Sequence, residues 1–177
     1  VIDATTDDNV ISIVKSILKV DSSNENYILG KIKYLPKGEI KSLIYYKLLV
    51  SNKQNLNTSI DISPKLKEED FKLPPNVNNE LSQLIGIYFD NAIEAASNSP
   101  KKQIALEVYK IRNSLFFVIT NSYKGSIKLN NIIKKGFSTK GSSRGKGLYF
   151  ANKIINNSNF FNSETKIIDD YFIQRLE

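Results

Sequence analysis

Cysteine is absent from the 177 residues, and so is histidine. The first absence excludes disulfides, a thiol nucleophile and a zinc–thiolate site. The second removes the imidazole as general base, metal ligand or phosphoryl acceptor. Long apolar runs are missing too: none approaches the roughly 20 residues needed to span a bilayer. Chemistry in this chain therefore rests on carboxylates, amides, hydroxyls, Lys, Arg, backbone N–H groups or a bound cofactor. What is present is ordinary for a globular protein, with 41% hydrophobic and 24% charged residues. That composition excludes disorder and a collagen repeat, and the length suits one domain of about 100–150 residues plus an appendage. Lys and Arg outnumber Asp and Glu by 25 to 18, a formal charge of +7 carried mostly by scattered Lys. Such a balance fits anionic partners such as nucleic acid, acidic lipid or phosphate. It equally fits a compositional bias toward Lys, Asn and Ile. No recognition helix or pattern of stacking aromatics is legible, so nucleic acid is not expected as a partner.

Apolar spacing predicts the elements. Val10, Ile13, Val14 and Ile17 follow a helical stripe over residues 7–20, continuing with an interruption toward Leu29. Pro36-Lys37-Gly38 breaks the chain, and a second helix is predicted over 39–51. A short strand at 58–62 precedes a surface loop at 64–75 closed by Pro74-Pro75. Leu81, Leu84, Ile85, Tyr88, Ala92 and Ala96 make the stripe of a strong helix over 79–98. Strands at 104–111 and 115–120 form a hairpin around Arg112-Asn113. Residues 125–144 read as loop, with a short helical stretch near 130–134. A helix opening at 145–147 carries Leu148, Ala151, Ile154 and Ile155, and a last hairpin turns at Asp169-Asp170. The expected fold class is α+β: a domain over 36–177 preceded by a short helical remnant over 1–35.

Two segments carry chemistry. The first is Asp90-Asn91-Ala92-Ile93-Glu94-Ala95-Ala96. On a helical wheel Asn91 sits at the edge of the apolar stripe, beside Ile87 and Glu94, while Asp90 points away from the core. An amide there can line a pocket and ligate a hard cation such as Mg²⁺ through its oxygen. It can also be a plain boundary Asn. The second is Phe137-Ser138-Thr139-Lys140-Gly141-Ser142-Ser143-Arg144-Gly145-Lys146-Gly147-Leu148, a Gly- and hydroxyl-rich loop entering a helix. Free amides and the dipole at a helix start favour phosphate. Gly145 and Gly147 let backbone approach an anion, and Lys140, Arg144 and Lys146 add cations, Arg with a two-pronged fork. A surface loop with incidental charges reads the same way. Neither a P-loop nor a dinucleotide fingerprint is present.

Taken as a pair, in this order, the segments resemble the GHKL ATP-binding domain. That superfamily spans sensor histidine kinases, gyrase-type and mismatch-repair ATPases and a heat-shock chaperone. More narrowly they resemble the kinase core of peptide-pheromone receptors of the accessory-gene-regulator type. The resemblance rests on Gly86-Ile87-Tyr88-Phe89-Asp90-Asn91-Ala92-Ile93-Glu94-Ala95, Gly136-Phe137-Ser138-Thr139-Lys140-Gly141 and Arg144-Gly145-Lys146-Gly147-Leu148, and more weakly on Glu39-Ile40-Lys41-Ser42-Leu43-Ile44 and Tyr171-Phe172-Ile173-Gln174. It implies a two-layer α/β sandwich of the Bergerat type, a mixed sheet with helices on one face. It implies ATP and Mg²⁺ as cofactors, with Asn91 on the metal and Gly145 and Gly147 around the triphosphate. Ser138, Thr139, Lys140 and Arg144 would lie in the lid over the nucleotide. In such kinases ATP phosphorylates a His on a helical hairpin, and the phosphoryl group passes to an Asp of a response regulator.

Departures from the family pattern qualify this. Hydrolytic relatives carry a Glu one turn before the metal-binding Asn; here that place is Ile87, which takes no proton. The family's adenine-reading Asp is replaced by Asn121, an uncharged acceptor. The acceptor His is missing, so the chain is expected to be a fragment of a longer, membrane-bound, homodimeric receptor, its soluble cytoplasmic part, unable to phosphorylate itself. The other expectation is a non-enzymatic regulatory or dimerisation module with weak or lost nucleotide binding.

Overall fold

The computed structural model describes residues 22–125 and 147–177. Alternation of apolar and polar residues builds five strands: β1 (Asn57–Ile62), β2 (Gln103–Ile111), β3 (Ser114–Ser122), β4 (Ser163–Ile168) and β5 (Tyr171–Leu176). They form one sheet in the order β1-β2-β3-β5-β4. The β1–β2 pair is parallel and the other three are antiparallel, so the sheet is mixed as expected. Paired residues share a face. The register therefore lays three rows across the inner face: Thr58–Ile104–Asn121–Phe172–Ile167, Ile60–Leu106–Ile119–Gln174–Thr165, and Ile62–Val108–Phe117–Leu176–Ser163.

Helices cover that face. They are α1 (Ser22–Ile32), α2 (Glu39–Lys53), α3 (Pro75–Ser97) and α4 (Gly147–Asn156). The α3 helix is the spine of the layer. Leu84, Ile85, Phe89, Ala92 and Ala96 are fully buried, and it packs on β3, α2 and α4. The α1 helix joins the same core through Ile28 and Ile32, followed by Leu35. Its Tyr27 hydroxyl accepts from the Ile60 N–H at 3.3 Å, on β1, the first strand of the sheet order.

Helix α3 starts at Pro75, four residues before the predicted 79. Proline lacks an N–H and has φ already near helical, so it suits the first helical turn; the second proline of the pair opens the helix instead of closing the loop. The loop before it contains a 3₁₀ turn, Glu68–Phe71. Both hairpins turn where predicted, with Arg112 and Asp169 in the left-handed region at φ 55° and 51°. The helix expected at 7–20 and the stretch near 130–134 lie outside the described residues.

Candidate functional site

Asn91 sits on α3 where the buried stripe meets solvent. Its neighbour Asp90 is turned outward and paired with Lys47 of α2, which leaves Asn91 as the polar group beside the core. Its Nδ2 is buried and has no hydrogen-bond partner among the described residues. An unmatched buried donor costs roughly 1–3 kcal/mol, so its persistence points to a missing acceptor.

Gly147 opens α4, a helix held to α3 by Ala151 with Leu148, Ile154 and Ile155. A β-carbon on Gly147 would lie 3.3 Å from Ile87 Cγ2, 3.6 Å from Asn91 Nδ2 and 3.7 Å from Asn91 Oδ1. The start of α4 thus abuts the Asn91 amide directly, and absence of a side chain permits the approach. The first N–H groups of a helix have no intrahelical acceptor and carry partial positive charge. Together these groups fit a metal-bound polyphosphate: N–H donors from α4 and Asn91 for phosphate oxygens, and the Asn91 oxygen for the cation. Among the described residues no three His, Cys, Asp or Glu side chains cluster as metal ligands. A divalent cation here would take most of its oxygens from ligand and water, the usual habit of Mg²⁺.

Asn121 lies at the end of β3 on the inner face and is 2% exposed. Its Nδ2 donates to the Ser122 carbonyl at 3.0 Å, which fixes the amide and leaves Oδ1 as acceptor. Ser122 is itself locked, its hydroxyl 2.6 Å from that of Ser99 and accepting from the Gln103 N–H at 2.9 Å. Tyr88, one turn before Asn91 on α3, bonds Ser163 of β4; burial outweighs that bond and raises its pKa, so the phenol stays protonated.

Sequence reasoning missed Gln174. It is 2% exposed on the inner face of β5, and its Oε1 has no hydrogen-bond partner among the described residues. The available signal was a polar residue between Phe172 and Leu176 at an inward position. Ser138, Thr139, Lys140, Arg144 and Gly145 lie outside the described residues.

Residues 78–177 match the family model described as the GHKL domain. The chain belongs to the GHKL domain family. Over 147 residues this GHKL domain is 28% identical to sensor histidine kinase DcuS of Escherichia coli K12, covering 77% of the chain and 26% of DcuS. The chain thus spans about a quarter of that relative's length. The catalytic domain of histidine kinase ThkA superposes with a TM-score of 0.58 at 17% identity, over 86% of this chain and 90% of that one. Full-length ShkA in complex with AMPPNP gives 0.54 at 12% identity, over 86% and 34%. The GHKL domain therefore has the fold of histidine kinase catalytic domains, as the two-layer expectation had it. No helix among the described residues is long and apolar enough to cross a membrane.

Proposed function

We propose that this GHKL domain is the ATP-binding catalytic domain of a sensor histidine kinase, delivering the terminal phosphoryl group of ATP to a His carried on a separate helical hairpin. The observation that carries the reading is the contact between Gly147 and the unpartnered Asn91 amide. Phosphoryl transfer asks a protein mainly for positioning and charge neutralisation. Asn91 would hold Mg²⁺ through Oδ1, and the cation would supply charge neutralisation at the phosphate oxygens. The first N–H groups of α4, from Gly147 on, are placed to take the triphosphate, and the family resemblance assigns Gly145, Ser138, Thr139, Lys140 and Arg144 to the same phosphates. Asn121 accepts from the adenine amine. Ile87 takes no proton, so water is poorly activated and the phosphoryl group is kept for the His.

The finer reading is a receptor of the accessory-gene-regulator type: the cytoplasmic part of a membrane homodimer that senses a peptide and passes phosphate to a response regulator. It is supported by the likeness of the 86–95, 136–141 and 144–148 segments. With no His in its sequence, this chain does not phosphorylate itself on histidine.

One charge-assisted contact is worth about 1.5–3 kcal/mol, or roughly 10–100-fold in affinity. Asn91→Ala and Arg144→Ala are each expected to weaken Mg-ATP binding by that factor in titration calorimetry; wild-type affinity in both variants overturns the proposal. A second reading, a GHKL module that regulates without nucleotide, is favoured by Ile87 and by Asn121 standing in for a carboxylate. It is the better one if a fluorescent ATP analogue gives no signal at millimolar concentration with Mg²⁺ present.

A further inference from the structure

We propose that Gln174 contacts the base of the nucleotide, placing its side-chain amide on the hydrogen-bonding edge of the purine. The inference rests on the ATP-binding reading above and adds a residue to it. Gln174 Oε1 is a buried acceptor with no partner among the described residues, on a residue 2% exposed. A buried carbonyl oxygen stripped of water is tolerated where a ligand donor completes it.

The register says which part of a ligand it meets. Gln174 pairs with Ile119 on β3, and Asn121 pairs with Phe172 on β5. The two amides are therefore diagonal neighbours on one face, about 7–8 Å apart at their α-carbons and within reach of a common group. They are not bonded to each other: Asn121 Nδ2 is spent on the Ser122 carbonyl. Asn121 thus offers Oδ1 in a fixed direction, and Gln174 offers an oxygen beside it. Ionisable side chains are absent from all three inner-face rows. The group recognised there is accordingly a neutral one rich in N–H donors, not a phosphate or a metal ion. The exocyclic amine of adenine has two N–H donors, one for Asn121 Oδ1 and one for Gln174 Oε1.

The test compares two probes with Mg²⁺ present, ATP and inorganic tripolyphosphate, which lacks the base. Gln174→Met keeps the length and removes both polar atoms. It is expected to weaken ATP binding about tenfold, the loss of one hydrogen bond, and to leave tripolyphosphate binding unchanged. Gln174→Glu keeps an acceptor oxygen in the same place and is expected to hold ATP within about threefold of wild type. Equal weakening for both probes in Gln174→Met, or unchanged ATP binding, overturns the base contact and leaves the ATP-binding reading standing. Failure of the wild-type chain to bind either probe overturns both.

Discussion

A β-carbon on Gly147 would press against Ile87 Cγ2 at 3.3 Å, a distance at which one side must yield by a few tenths of an ångström. Alanine at this first helical position gains a fraction of the roughly 1 kcal/mol it gains over glycine in a helix interior, which partly offsets the crowding. Gly147→Ala is therefore expected to leave the melting temperature within a few degrees of wild type while weakening Mg-ATP binding several-fold, because the start of α4 shifts away from Asn91. Parallel melts and calorimetry separate these effects; a variant that binds ATP normally contradicts the close-approach role. At this scale the sequence marked Asn91 correctly as the polar neighbour of the core, because helical spacing fixes its angle relative to Ile87 and Tyr88. Gly147, expected at the triphosphate, also makes a close contact with another helix, a relation that no local spacing records. Gln174 was passed over although the alternation of its segment marks an inward position, because its burial depends on the helix layer packed over the inner face, which the segment does not show.

Among the elements, the 3₁₀ turn Glu68–Phe71 is tied down by Asp70. Its carboxylate accepts from the Lys67 N–H at 2.9 Å and from Lys110 of β2. Phe71 lies edge-on to Phe117, with ring centres 6.4 Å apart. The Lys110 bond, then the Lys67 N–H, hold the Asp70 carboxyl below its ordinary pKa of 3.8. A carboxyl depressed in the folded state contributes stability above its unfolded pKa and loses it as pH falls through the folded value. Asp70→Asn is thus expected to melt lower than wild type at pH 6, with the gap closing as pH falls below 3.8. A gap independent of pH contradicts the ion-pair role of Asp70. Neither this turn nor the true start of α3 was legible in the sequence. A four-residue 3₁₀ turn has no periodicity to detect, and Pro74-Pro75 reads equally as a loop's end or a helix's beginning. The long helix and the hairpins were legible because their apolar spacing runs over many residues.

Across the molecule, the α+β class followed from the order of helices and strands and the two-layer sandwich from the family resemblance, but neither fixed the strand order. The β5 strand inserts between β3 and β4, so β4 ends at the edge. That insertion is set by pairing between distant segments, and it is what brings Gln174 next to Asn121. The same long-range packing brings α4 against α3, so that Asn91 and Gly147, far apart in the chain, lie in contact. Exchange of Mg²⁺ for paramagnetic Mn²⁺ in an NMR titration examines that convergence in solution. With ATP and Mn²⁺ together, the Asn91 side-chain amide and the Gly147 backbone amide are both expected to broaden beyond detection, while Mn²⁺ without ATP leaves them sharp. Persistence of either signal at saturating ATP and Mn²⁺ would place the metal-bound triphosphate elsewhere and contradict the proposed site.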